Sequence, residues 1–263
     1  MALMQAHFFS HALNVQVSVD VILPEPEMGI GVRGQEAGAE QLPRVLYLLH
    51  GYSDDHTIWL RRTAVDRYAA GENLAVVMPA VNHSFYTNEA HGERYWDFVA
   101  EELPEAMHRF FRLSRDPADT YAAGLSMGGY GAMKLALRHP ERFAAAASFS
   151  GVLDICDFDH RTPASIANME RIFGDTDALS GSENDLLALL RKGREAKKKP
   201  RLYVSCGTAD FLWHMHGRFV LAAEENGWDI THREIPGMGH QWELWDREIE
   251  GFIHWIGRGR EEA

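Results

Sequence analysis

The feature that most constrains this chain is the passage from an apolar run, residues 120–125, into Gly124-Leu125-Ser126-Met127-Gly128-Gly129 and then Tyr-Gly-Ala-Met-Lys-Leu-Ala-Leu-Arg. A G-x-S-x-G pattern between a strand-like run and a helix-compatible run predicts a sharp strand-to-helix turn. Small residues flank the serine because strand and helix approach each other closely there. The serine itself is held in a strained backbone conformation that lifts its hydroxyl clear of the sheet. The helix that follows presents free N–H groups and the positive end of its dipole, so the Met127 N–H is placed to meet a developing oxyanion.

The rest of the chain repeats this rhythm. Apolar runs at residues 45–49, 74–78, 144–149 and 202–206 are of the kind that parallel strands covered on both faces show. Helical patterns occupy residues 103–111, 130–138, 211–226 and 242–256, the last with Trp242, Trp245, Ile249, Phe252 and Ile256 on one face. Strands alternating with helices predict one α/β domain over residues 1–263, with a mostly parallel central sheet flanked by helices. Residues 8–23 alternate around Val15, Val17, Val19 and Val21, as in a half-exposed strand. A Gly-, Pro- and Glu-rich stretch at 24–43 reads as a mobile loop. Over 152–199 the rhythm stops, and this polar, irregular segment reads as an insertion capping one end of the sheet.

Charge narrows the function. A net charge of -12 offers nothing to neutralise phosphates and disfavours nucleic acid and anionic membranes as partners. The basic run at 191–201 reads as a solvated helix end or loop. Two cysteines, Cys156 and Cys206, form no metal-ligand pattern and require no disulfide. The first residues lack a basic, then apolar, leader, and no window approaches a transmembrane span, so a cytoplasmic location is the expectation. The sequence leaves open whether the chain forms a homo-oligomer.

A nucleophilic serine needs a base and an orienting acid, which follow it in the order Ser, Asp or Glu, His. Among the downstream histidines, His240 stands in Pro236-Gly237-Met238-Gly239-His240, a glycine-rich turn between a strand-like run and the last helix. His139 reads as structural, and His214 and His216 fall in a helical pattern. Asp210 follows the 202–206 run and Gly207-Thr208-Ala209. It suits the acid; a carboxylate there also favours a helix start, and the two roles can coexist; Asp175, Asp177 and Asp229 are weaker rivals. The second oxyanion donor is expected after the 45–49 run, in Leu48-Leu49-His50-Gly51-Tyr52-Ser53, where Gly51 lets the backbone approach substrate and Tyr52 presents its N–H. Residues 82–98 hold Phe85, Tyr86, Tyr95, Trp96 and Phe98, which either line a substrate pocket or pack onto the core. Tyr95 and Trp96, with Gly51, are taken as substrate contacts. No long amphipathic lid of the lipase kind is visible.

The stretches VLYLLHGYSDDHTIWLRRT, NLAVVMPA, EELP, AGLSMGGYGAMKLAL, AAAASFSG, CGTADFL and GMGHQWELWD together resemble the esterase D-like branch of the α/β-hydrolases, in particular its bacterial tributyrin and acetyl esterases. The resemblance implies the α/β-hydrolase fold with an inserted cap. It also implies a triad at Ser126, Asp210 and His240, and oxyanion amides at Tyr52 and Met127. The implied reaction is hydrolysis of small-molecule esters with acyl groups from acetyl to butyryl, without metal or cofactor. S-formylglutathione hydrolases share the SMGG elbow but read HGLTC where this chain has His50-Gly51-Tyr52-Ser53-Asp54, a departure that weighs against a glutathione thioester. That hydrolase activity, or acyl transfer to an alcohol, is the alternative.

Overall fold

The structure, a computed structural model, describes residues 1–25, 41–158 and 163–258; most of the 24–43 loop and His160 lie outside the described residues. The strands are β1 (Ala2–Ser10), β2 (Val15–Leu23), β3 (Arg44–Leu49), β4 (Leu74–Pro79), β5 (Thr120–Leu125), β6 (Ala145–Phe149), β7 (Arg201–Gly207) and β8 (Ile230–Ile235), with the five apolar runs forming β3 to β7. They form one sheet in the order β1-β2-β4-β3-β5-β6-β7-β8. From β4 to β8 all pairings are parallel, while β1 and β2 run antiparallel to each other and β2 runs antiparallel to β4.

The helices are α1 (Ile58–Arg62), α2 (Val65–Ala69), α3 (Tyr95–Asp97), α4 (Leu103–Phe110), α5 (Met127–Arg138), α6 (Pro163–Phe173), α7 (Leu186–Lys192), α8 (Trp213–Glu225) and α9 (Trp242–Arg258). The period-two geometry of the strands divides their side chains between two cores. Val45, Tyr47 and Leu49 of β3 join Tyr130 and Met133 of α5 and Phe219 of α8 on one face. Leu46 and Leu48 join Trp59 of α1 and Ile249, Phe252 and Ile256 of α9 on the other. Each central strand is therefore buried on both sides, which is why its sequence is almost wholly apolar.

Two parts differ from expectation. Residues 8–23 are not one strand: β1 and β2 form a hairpin turning through residues 11–14, with Asn14 at φ 52°. The edge strand β1 lacked a legible pattern because Leu3, Met4 and Phe9 are exposed. The 152–199 segment is not irregular throughout, since α6 and α7 lie within it. Asp185 caps α7, accepting from the Ala188 N–H at 3.0 Å. Leu186 and Leu190 then bury in the same core as α5 and α8. Among the described residues no helix is long and apolar enough to cross a membrane, and both cysteines are free.

Candidate active site

Ser126 sits between β5 and α5 at φ 53° and ψ -117°, a conformation a non-glycine residue adopts only when its surroundings enforce it. The enforcement is visible. Its N–H donates to Phe149 O at 3.0 Å, and its carbonyl accepts from Tyr130 N at 3.1 Å and Val152 N at 3.3 Å. Glycine on either side is a steric requirement. A Cβ on Gly124 would lie 2.4 Å from the Gly128 carbonyl, and one on Gly128 would lie 2.3 Å from Leu49 O.

Asp210 and His240 come from the loops after β7 and β8. Those loops are stitched together: Thr208 N–H donates to Ile235 O at 3.0 Å and Ala209 N–H to Met238 O at 3.0 Å. Across that seam His240 Nδ1 and Asp210 Oδ2 are 2.9 Å apart. The other oxygen, Oδ1, accepts from Leu212 N–H at 2.9 Å. Burial alone would raise the Asp210 pKa, but the hydrogen bond and charge of His240, with the Leu212 N–H, outweigh it and hold the carboxyl below its ordinary value. The ionised carboxylate only accepts, so Nδ1 carries the proton and Nε2 is left as the basic nitrogen. The rings of Phe211 and Trp245, each with its centroid 4.8 Å from that of His240, flank the imidazole. Asp210 is not an N-cap: α8 starts later, and its cap position, Leu212, makes no side-chain cap bond. Of the rival acids, Asp175 caps a short turn at Thr176–Ala178 that contains Asp177, and Asp229 directly precedes β8.

The turn after β3 is braced from behind. His50 Nε2 accepts from Val81 N–H at 3.1 Å, so its proton sits on Nδ1 and is donated to Gly51 O at 2.7 Å. Burial drives the His50 pKa down to about 4, which keeps this bridging imidazole neutral. Tyr86 Oη donates to His50 O at 2.9 Å, and Gly51 N–H donates to Asp54 Oδ2 at 3.2 Å. With these groups engaged, the next residue, Tyr52, faces the same space as Ser126. Its ring stacks on His83 at 4.2 Å, and its hydroxyl accepts from Asn168 Nδ2 of α6 at 2.7 Å.

That space is a cavity of about 900 Å³. Gly51, Tyr52, Ser126, Met127 and His240 all line it, so the structure brings together the expected nucleophile, base and oxyanion residues. Phe85, Leu125, Val152, Met169, Leu212 and Trp245 form apolar walls, while Asp54, Arg62, Asn168, Gln241 and Glu243 supply polar groups. Tyr95 and Trp96 do not line it. Tyr95 Oη accepts from Asn82 Nδ2 at 2.6 Å. Trp96 is buried against α5, with the Arg138 guanidinium 4.0 Å and Lys134 Nζ 4.9 Å from its ring centre. It also stacks on His139 at 5.7 Å. The cation–π contact with Arg138 and the packing on α5 hold it away from the cavity. Of that aromatic stretch, Phe85 is the member that reaches the site. Asn168, Met169, Phe211 and Trp245 also line the cavity, and no local motif marks them; the two on α6 lie in the polar 152–199 segment, which carries no strand–helix rhythm.

The chain is similar to known proteins over nearly its whole length. The Esterase family model matches residues 10–254. The chain is 31% identical over 266 residues, 98% of this chain and 99% of the relative, to an acetyl esterase of Caldicellulosiruptor saccharolyticus. It superposes with a TM-score of 0.84 and 32% identity on FphF, a fluorophosphonate-binding serine hydrolase of Staphylococcus aureus, covering 97% of this chain and 98% of that one. An S-formylglutathione hydrolase (FrmB) of Staphylococcus aureus superposes with a TM-score of 0.82 and 32% identity, over the same 97% and 98%. The mostly parallel, helix-flanked sheet is thus the α/β-hydrolase fold.

Proposed function

This chain belongs to the Esterase family and is a carboxylic ester hydrolase, and we propose that it hydrolyses short-chain acyl esters, acetyl to butyryl, through an acyl-enzyme on Ser126. One observation carries the proposal: His240, paired with the buried Asp210 at 2.9 Å, lines the same cavity as a serine held at φ 53°. His240 Nε2 takes the Ser126 proton as Oγ attacks the ester carbonyl. Asp210 steadies the imidazolium through Nδ1–H. The N–H groups of Tyr52 and Met127 receive the oxyanion. Collapse of the tetrahedral species breaks the bond to the alcohol, which leaves with the proton from His240. Water, deprotonated by the same imidazole, then releases the acid and regenerates Ser126.

The cavity volume, near the upper end for small-molecule sites, leaves room for an alcohol larger than the acyl group. Asp54, Arg62, Gln241 and Glu243 on its lining suit a hydroxyl-rich alcohol such as a sugar. The name of the acetyl esterase relative supports the short acyl group. The two free thiols accord with a reducing, cytoplasmic setting. A second reading, hydrolysis of the S-formylglutathione thioester, is favoured by the likeness to FrmB. The test is kcat/KM on p-nitrophenyl acetate, butyrate, octanoate and dodecanoate beside S-formylglutathione. A maximum at acetate or butyrate is expected. A maximum at octanoate or beyond overturns the short-acyl reading, and turnover confined to S-formylglutathione establishes the second. Ser126→Ala abolishes turnover of every substrate on either reading.

A further inference from the structure

His216, on α8, is only 2% exposed, and neither of its ring nitrogens has a hydrogen-bond partner. Leaving polar atoms buried and unpaired is costly. The Trp213 ring, stacked at 5.3 Å, covers one face of the imidazole without accepting from it. On β8, His232 and Glu234 are alternate residues and so project from the same face of the sheet. The parallel register sets them beside Val204 and Cys206 of β7. Val204 shares its core with Phe219 of α8, so this is the face that α8 covers. One ligand atom from each of His216, His232 and Glu234 lies within 4.8 Å of the other two.

We propose that His216, His232 and Glu234 form a binding site for a divalent transition-metal ion of the zinc type, clamping α8 to the edge strand β8. Two imidazoles and one carboxylate are a donor set zinc accepts, with a fourth position left for water. Zinc bonds of about 2.0–2.2 Å bring ligand atoms to about 3.4 Å from one another. The exposed His232 and Glu234 side chains can close that difference by changing rotamer, and they give the ion its route in from solvent. Burial, and then His232, lower the His216 pKa to about 4, so the ring is in its neutral, ligating form at pH 7. None of the three residues lines the cavity that holds Ser126, so the ion takes no part in ester cleavage. Its place in the architecture is still informative. Asp210 lies on the short turn between β7 and α8, and β8 leads into the turn that carries His240. An ion joining those two elements stabilises the scaffold that holds the Asp210–His240 pair together.

The test is isothermal titration of chelator-treated, full-length protein with zinc chloride, together with its melting temperature. The expected result is saturable binding of one ion per chain with a raised Tm, retained in His240→Ala. His216→Ala risks the fold, so the deciding variants are His232→Ala and Glu234→Ala, both at exposed positions. Each is expected to weaken binding by more than about 100-fold, since losing even an outer-shell partner costs about 10–100-fold. No saturable binding, binding unchanged in His232→Ala and Glu234→Ala, or binding abolished by His240→Ala would each overturn the proposal. The first outcome would leave His216 paired with water, and the last would place the ion in the ester-cleaving cavity.

Discussion

Gly128→Ala adds one methyl group where α5 and the end of β3 approach each other backbone to backbone. Its Cβ would fall 2.3 Å from Leu49 O, 2.6 Å from Leu49 C and 2.7 Å from His50 O. These are backbone atoms at the end of a central strand, so no flexible side chain can absorb the clash. Ordinary contact begins near 3.4 Å, and the first turn of α5 must therefore part from the end of β3 by about 1 Å, in an interior too well packed to absorb it elsewhere. Those two segments carry the proposed oxyanion donors, Met127 beside Gly128 and Tyr52 just past His50. A misplacement of about 1 Å can cost about 100-fold in rate, equivalent to about 2.7 kcal/mol of barrier. Overpacking should also remove about 1–3 kcal/mol of stability. The assay is kcat and KM on p-nitrophenyl acetate, well below the variant's own Tm. The fall is expected mainly in kcat, because the donors act on charge that develops in the transition state. Gly217→Ala, on α8, is the control: nothing lies within 4 Å of its Cβ. Alanine is the better helix former by about 0.8–1.0 kcal/mol, so that variant should be stabilised with kcat unchanged. A folded Gly128→Ala enzyme with wild-type kcat would refute the placement of the two donors.

Asp210→Asn removes the charge opposite His240 Nδ1 while keeping the side chain's size, and kcat should fall by about 10³–10⁴-fold with little change in Tm; near-normal kcat would remove Asp210 from the mechanism. His50 titrates at about 4 in the folded protein against about 6.5 unfolded, so the unfolded chain binds more protons between those values. Its stabilising contribution is full above about 6.5 and declines by about 3 kcal/mol as pH falls through 4. The difference in urea-unfolding free energy between wild type and His50→Asn should shrink over that window, and a constant difference would contradict a neutral, buried His50. Trp96→Ala should cost about 3–5 kcal/mol of stability and leave KM alone. Phe211→Ala, at a residue 65% exposed beside His240, should shift KM and acyl-chain preference with little change in Tm. The reverse pattern in calorimetry and kinetics would restore Trp96 to the substrate pocket.

These contrasts trace a boundary between what local chemistry encodes and what only packing decides. Positions 124 and 128 were legible as glycine because the requirement is close backbone approach, and close approach leaves a pattern of small residues in the chain itself. The meeting of Asp210 with His240 was legible as position, since each follows a strand on a short, glycine-containing turn. The N-cap alternative for Asp210 could be resolved only by seeing where α8 begins. Trp96 was illegible for a different reason. An aromatic side chain in a polar loop satisfies the same local rules whether it faces a ligand or a neighbour. What decides is the Arg138 guanidinium and the Lys134 amine on a helix thirty and more residues further along the chain. The same holds for His216, whose helical spacing marks it as an ordinary inward-facing residue. Only the parallel register of β7 with β8 brings His232 and Glu234 to it. A catalytic serine that needs a special backbone conformation therefore announces itself in sequence, whereas a site assembled across elements from ordinary conformations does not, and unpaired buried atoms are where it has to be sought.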